Sequence, residues 1–138
     1  MDKLTLDNLE DFLRGTAFLG TGGGGDPYVG GLMLRQELEK GTDCKIIKGS
    51  EVDDNDLIIP IAVMGAPTVI VERLPNAKSC IKALRKMEEL MGKKAAALIG
   101  AEAGGINGTL PFILSSYTGL PVIDGDGMEI GRASCRER

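Results

Sequence analysis

The spacing of apolar residues predicts a chain of helices and strands in the order helix, helix, strand, strand, helix, strand, helix, strand. Apolar side chains that recur every three or four residues are typical of helices with one buried face, and short continuous apolar runs are typical of buried strands. The predicted helices cover residues 6–19, 27–40, 76–91 and 110–118, and the predicted strands cover residues 44–48, 57–64, 95–99 and 120–123. This order favours an α/β fold with an open, mostly parallel sheet and flanking helices.

Residues with strong positional preferences indicate where two of the helices begin. Asp26 followed by Pro27 is typical of an N-cap and a first helical residue. For the last helix, Asn107 or Thr109 is the expected cap, which would place Pro111 in the first turn.

The apolar run 57–64 contains Pro60. Proline cannot donate a backbone hydrogen bond, so this strand is expected at an edge of the sheet or with a bulge. Residues 65–68 that follow it, Gly-Ala-Pro-Thr, are expected to form a turn at its carboxyl end.

Residues that carry chemistry follow the last two predicted strands. Glu102 lies in a glycine-rich segment after the strand 95–99, and Asp124 and Asp126 follow the strand 120–123. Parallel strands joined by a crossover helix have their carboxyl ends side by side, and open α/β sheets bind ligands at that edge. We therefore expect Glu102 to meet Asp124 or Asp126, as a pair of carboxylates that act as acid and base. Aspartates beside glycine also form Asx-turns, so a structural role for the two aspartates stays open.

A run of glycines between the first two predicted helices is a second candidate site, formed by Gly22, Gly23, Gly24, Gly25 and the following Asp26. Consecutive glycines can direct several backbone N–H groups at an anion or at a carbonyl oxygen of a substrate. A tight turn between helices, capped by Asp26, is the structural alternative. Nucleotide binding is a weaker hypothesis, because a helix rather than a strand precedes the run and no Gly-Lys-Ser/Thr motif ends it.

Composition and charge exclude several classes of protein. The chain has 138 residues, a formal net charge of −4 and no histidine. This charge argues against nucleic acid as the main partner, and any imidazole that the chemistry needs would come from other sequence. The longest uncharged apolar run, 57–71, is too short to cross a bilayer, and no secretory signal is visible, so we expect a cytoplasmic protein without a membrane partner.

The identity of a metal ion or other cofactor is not fixed by the sequence. The three cysteines show no C-x-x-C spacing, which argues against a thiolate metal site. Carboxylates and carbonyl oxygens suit a hard divalent cation such as magnesium better than zinc, so a requirement for such an ion stays open.

The last ten residues, 129–138, differ in character from the rest of the chain. They have no apolar periodicity, and they look like the translation of a sequencing-adapter read-through. We expect the native domain to cover residues 1–128 and the tail 129–138 to be an artefact that carries no function.

Three motifs together resemble one family, the S-methyl-thiohydantoin desulfurase-like family, whose members are often found near hydantoinase/oxoprolinase subunits. These motifs are the glycine run with its flanks at 20–28, the Gly-Gly-Ile-Asn turn at 104–107 and the Asp-Gly-Asp-Gly-Met segment that ends the stretch 120–128. The resemblance covers residues 1–128. Members of the family are longer, so we expect this chain to be the N-terminal domain of an incomplete protein.

The resemblance implies a hydrolase that acts on a small cyclic imide or thioimidate, such as an S-methyl-thiohydantoin or hydantoin-like ring, with release of a thiol. Two groups of residues lie at matching motif positions. We assign a catalytic role to Glu102, Asp124 and Asp126. We assign substrate binding to Gly22, Gly23, Gly24, Gly25, Asp26 and Asn107. The alternative is a non-catalytic subunit or ligand-binding module that partners a hydantoinase/oxoprolinase-type ATPase. In either case we expect residues 1–128 alone to be inactive and to expose apolar surface meant for the missing C-terminal domain.

Overall fold

A computed structural model describes residues 2–72 and 76–128 and shows an α/β fold built on a five-stranded sheet. The strands are β1 (Lys3–Leu4), β2 (Cys44–Ile47), β3 (Leu57–Ile61), β4 (Ala95–Gly100) and β5 (Val122–Asp126), in the spatial order β1-β2-β5-β4-β3. The two-residue strand β1 pairs antiparallel with β2, and all other neighbours are parallel. The predicted fold class, an open and mostly parallel sheet with flanking helices, is therefore confirmed.

In the described part of the chain, five α-helices and one short 3₁₀ turn connect these strands. They are α1 (Leu9–Gly20), α2 (Pro27–Leu38), α3 (Pro67–Glu72), α4 (Ala77–Met91) and α5 (Gly105–Thr118), with the 3₁₀ turn at Gly49–Glu51. Helix α4 joins β3 to β4 and helix α5 joins β4 to β5, so each crosses between neighbouring parallel strands. These two crossovers place the carboxyl ends of β3, β4 and β5 along one edge of the sheet.

Helix α5 is the centre of the fold. It packs against α1, α2 and the sheet, and its first eleven residues, 105–115, are all buried. Leu110, Ile113 and Leu114 form one apolar core with Leu98 of β4 and Val122 of β5. A helix that is apolar on every side is typical of a position between two layers.

Strand β3 lies at an edge of the sheet, as Pro60 predicts. Its pairing with β4 also shifts register between Leu57 and Ile58. Edge position and irregular pairing both accommodate a residue without a backbone N–H.

Several predicted boundaries are wrong. The first helix begins at Leu9 rather than at residue 6, and β3 ends at Ile61 rather than at residue 64. Two further differences have a clear physical reason. Helix α5 begins at Gly105 after an N-cap at Gly104, so neither Asn107 nor Thr109 caps it, and Pro111 lies inside the helix. Glycine has a low helix propensity, but here close packing of backbone against backbone offsets that cost. The segment 65–68, expected to be a turn throughout, contains the start of α3 at Pro67, a residue typical of a first helical position.

Strand β5 is longer than the apolar run 120–123 suggests, since it continues through Asp126. Asp124 therefore lies in the strand, where we expected a turn. The strand β1 was not predicted from the pattern, because two residues are too few to show a period.

Within residues 2–72 and 76–128, no helix is both long enough and apolar enough to cross a membrane. We predict that the tail 129–138 is an artefact, and this tail lies outside the described residues.

Glu88 ties the end of α4 to the start of β4. Its side chain is only 3% exposed, and it accepts hydrogen bonds from Arg85 (2.8 Å), from Lys94 (3.2 Å) and from the backbone N–H of Ala95 (3.0 Å). The hydrogen bond from Arg85, with those from Ala95 and Lys94, lowers the pKa of Glu88 from 4.5 to about 2. The folded state therefore stabilises the ionised form of Glu88 relative to the unfolded chain.

This arrangement predicts how stability depends on pH. Because the pKa of Glu88 is lower in the folded state, its contribution is fully present above about pH 4.5 and is lost as the pH falls towards 2. Glu88→Gln is expected to lower the melting temperature at pH 7 and to reduce the loss of melting temperature between pH 5 and pH 2.5, measured by circular dichroism. The control is Glu89→Gln, whose carboxylate is 69% exposed and should matter little. An unchanged pH profile in Glu88→Gln would contradict this role.

Candidate functional site

A cavity of about 720 Å³ lies at the carboxyl ends of β4 and β5. This is the edge at which open α/β sheets bind ligands, and the volume is in the range of small-molecule sites. The cavity is lined by Phe12, Gly15, Thr16, Leu19, Ile46, Gly100, Glu102, Ala103, Gly108, Pro111, Phe112, Val122, Ile123, Asp124, Gly125 and Asp126.

Two helices form the apolar walls of the cavity. Phe12 and Leu19 come from α1, and Pro111 and Phe112 come from α5. The rings of Phe12 and Phe112 meet edge to face with centroids 4.9 Å apart, a favourable arrangement for two aromatic rings. Phe12 lies within the predicted helix 6–19, but nothing in its local pattern points to a cavity.

The ends of β4 and β5 lie side by side, as predicted from their crossover. Gly100 pairs with Asp126, and the backbone N–H of Gly127 donates to the carbonyl of Gly100. As a result, Glu102 in the segment after β4 and Asp124 and Asp126 in β5 all line the same cavity. The three carboxylates therefore share one cavity, and their meeting in a catalytic pair stays a prediction.

Glu102 is half-buried and held in place by Asn107. The side-chain amide of Asn107 donates to Oε1 of Glu102 at 2.6 Å. The same amide exchanges two hydrogen bonds with the backbone of Val63, accepting from its N–H at 2.9 Å and donating to its carbonyl at 3.2 Å. Asn107 is 4% exposed, so it joins the loop after β3 to the carboxylate of Glu102.

Asp126 holds the other side of the same segment. One carboxylate oxygen accepts from the backbone N–H of Ala103 at 2.7 Å, and the other accepts from the N–H of Met128 at 3.0 Å. The bond to Met128 is that of an Asx-turn, the structural role left open by the sequence. Asp126 is 7% exposed, whereas Asp124 is exposed. Of the two aspartates, Asp124 is therefore the more accessible to a ligand.

The glycine run contacts the start of α5 and is not among the residues that line the cavity. A Cβ added at Gly24 would lie 2.3 Å from the carbonyl oxygen of Gly104, and one added at Gly105 would lie 2.3 Å from that of Gly25. The carbonyl of Gly24 also accepts from the backbone N–H of Asn107 at 3.2 Å. The run therefore supports the helix turn that carries Asn107.

Asp26 is the N-cap of α2, as its position before Pro27 predicts. Its side chain accepts from the backbone N–H of Tyr28 at 2.8 Å, and Pro27 begins the helix. The assignment of Gly22, Gly23, Gly24, Gly25 and Asp26 to a substrate stays a prediction.

Among residues 2–72 and 76–128, no group of three or more histidine, cysteine, aspartate or glutamate side chains is arranged to hold a metal ion. Cys44 is buried and donates to the carbonyl of Phe112, and burial raises the pKa of its thiol. Cys80 packs against the core from α4, as its place on the apolar stripe of that helix predicts. Neither cysteine is placed to act as a ligand or nucleophile in the cavity.

A solved structure shares this fold. It is the crystal structure of a protein from Chromobacterium violaceum, determined by a structural genomics consortium, with a TM-score of 0.65 and 24% sequence identity. The match covers 91% of this chain and 35% of that protein, so the chain spans about a third of the length of this relative. A comparison with curated proteins gives no match.

Family comparison agrees with the motifs. The family described as "S-Me-THD-like, N-terminal domain" matches residues 7–136, which is nearly the whole chain. The match includes the glycine run, the segment around Glu102 and the end of β5. The chain therefore belongs to the S-Me-THD-like family and carries its N-terminal domain.

Proposed function

We propose that the cavity at the ends of β4 and β5 is the active site of a hydrolase that acts on a small cyclic imide or thioimidate, of the S-methyl-thiohydantoin or hydantoin type. The observation that carries this proposal is that Glu102 and Asp124 line one cavity in a member of the S-Me-THD-like family. The longer protein to which such a domain belongs would perform the reaction.

Hydrolysis of the thioether group on the ring consumes a water molecule, which loses a proton, and releases a thiol, which gains one. Water attacks the ring carbon that bears sulfur, the new C–O bond forms, the C–S bond breaks and the sulfur leaves as a thiol. The C=N bond of the ring becomes an amide, and its nitrogen gains the second proton of the water. A carboxylate base accepts the proton from water, and a carboxylic acid donates a proton to the leaving sulfur. Glu102 and Asp124 are the two groups that we assign to these steps.

The two carboxylates differ in how they are held. Glu102 is half-buried and oriented by Asn107, which suits a group that must keep one position relative to the ring. Asp124 is exposed and can exchange protons with solvent. The apolar walls formed by Phe12 and Phe112 suit the faces of a flat ring.

The test is thiol release from S-methyl-thiohydantoin, measured with a thiol reagent, by the longer protein that contains this domain. Asp124→Asn is expected to lower the rate at least about tenfold, because general acid–base groups contribute roughly 10²–10⁴ to the rate. The control is Asp54→Asn, which makes the same change in charge at an exposed position outside the cavity.

Full activity in Asp124→Asn would remove this residue from the mechanism. Binding of the ring without thiol release would favour the alternative function, a ligand-binding module that works with a hydantoinase/oxoprolinase-type partner. A rise in melting temperature with ATP or NAD would instead support nucleotide binding at the glycine run.

A further inference from the structure

The charged side chains of the cavity all have the same sign. Glu102, Asp124 and Asp126 are acidic, and none of the described residues that line the cavity is lysine or arginine. The other lining residues are apolar, glycine or, in the case of Thr16, uncharged and polar.

The cations of the adjacent helices are engaged elsewhere. Arg14 of α1 pairs with Asp11, and Arg35 of α2 pairs with Glu10. Neither arginine lines the cavity. Each of these two cations therefore has its carboxylate partner outside the cavity.

The carboxylates also differ in the acceptor sites that they leave for a ligand. Both oxygens of Asp126 accept backbone N–H groups. The hydrogen bond that Glu102 accepts from Asn107 involves Oε1, and Glu102 itself lines the cavity. An ionised carboxylate is an acceptor only, so these sites favour ligands with N–H donors.

We propose that this cavity selects small ligands that present N–H donors and carry no negative charge, and that it excludes carboxylate- and phosphate-bearing analogues of the same ring. The proposal rests on the proposed function for the identity of the ring, whereas the selection by charge follows from the lining residues. An anion in the cavity would lie beside at least two carboxylates with water partly excluded, where repulsion between like charges is stronger than in bulk water.

The test compares three ligands built on one ring. They are hydantoin, which is neutral, hydantoin-5-acetic acid, which is anionic, and 5-(4-aminobutyl)hydantoin, which is cationic. Binding to the chain is measured by NMR titration at pH 7 and low salt, and a simple alkylamine without the ring serves as a fourth probe. We expect the anionic ligand to bind at least about tenfold more weakly than the neutral one, and the cationic ligand to bind at least as tightly.

Two variants locate the effect. Asp124→Asn is expected to reduce the difference between the neutral and anionic rings severalfold, because it removes one of the repelling charges. Asp54→Asn changes the net charge equally at an exposed position outside the cavity and is expected to leave the difference as it is.

The outcomes separate this proposal from the proposed function. Equal binding of the neutral and anionic rings would overturn the selection by charge and leave the ring-binding function standing. Binding of the alkylamine as tight as that of the cationic ring would support the charge selection and count against the ring as ligand. If none of the four probes binds, the selection by charge is overturned, whereas the proposed function is still decided by thiol release from the longer protein.

Discussion

Replacing Gly104 by alanine is expected to destabilise the protein by about 3 kcal/mol or more, at the upper end of what overpacking costs. A Cβ at this position would lie 2.4 Å from the Cα of Gly20, and backbone atoms cannot turn aside as a flexible side chain can. Total stabilities of domains are about 5–15 kcal/mol, so such a loss is a large share. Urea denaturation followed by circular dichroism measures it.

A series of glycine replacements separates contact from backbone strain. A Cβ added at Gly15, inside α1, would have no heavy atom within 4 Å apart from its chain neighbours and the backbone of its own helix. Gly15→Ala is therefore expected to stabilise the protein by about 0.5–1 kcal/mol. A Cβ added at Gly22 would also have free space, but the φ of this residue is +93°. Gly22→Ala is therefore expected to destabilise the protein by backbone strain alone, at about 1–2 kcal/mol. Gly105→Ala combines a φ of +60° with the contact to Gly25 and is expected to cost the most. If Gly104→Ala were as stable as Gly15→Ala, the close packing of the two glycine segments would be refuted.

This packing explains why the start of α5 was predicted five residues too late. Residues 104–108 read from sequence as a turn, because they hold three glycines and an asparagine. The partner that makes them helical is the run near Gly24, about 80 residues earlier in the chain. A local pattern contains no information about such a contact, since it forms only when α1 and α2 pack on α5.

The sheet and the rim that holds the carboxylates were predictable for a different reason. Periodicity gives the strands and helices, and the geometry of parallel crossovers then fixes which strand ends are neighbours. Glu102 and Asp124 could therefore be placed at one edge without knowing any side-chain contact. The residues that form the walls of the cavity could not be predicted in the same way. The position of Phe12 depends on how α1 packs, which the order of strands does not determine.

The hydrogen-bond partners of Asn107 could not be predicted from the sequence, for a third reason. The sequence places it in a motif, and we assigned its amide to a substrate. The structure shows the amide bonded to Val63, which is 44 residues away in the chain, and to Glu102. A buried amide with these partners is suited to position Glu102, and the two roles predict different kinetics.

Glu102→Gln is expected to lower thiol release by the longer protein by about 10²–10⁴-fold, the usual contribution of a general acid or base. The glutamine oxygen can still accept the hydrogen bond from Asn107, so the melting temperature is expected to stay close to that of the native protein. Glu89→Gln is the matched control, since it makes the same chemical change at an exposed side chain of α4. Unchanged thiol release in Glu102→Gln would exclude this carboxylate from the reaction.

Asn107→Ala tests the positioning role by its effect on kcat and KM separately. The variant leaves the N–H and the carbonyl of Val63 without their side-chain partner, and Val63 is half-buried, so the melting temperature should fall. Glu102 also loses the donor that orients it, so kcat is expected to fall at least about tenfold while KM changes little. A purely structural role would lower the amount of folded enzyme without changing kcat per folded molecule, which an assay well below the melting temperature distinguishes. A higher KM with unchanged kcat would instead make Asn107 a substrate contact, because an interaction of equal strength with substrate and transition state affects binding alone.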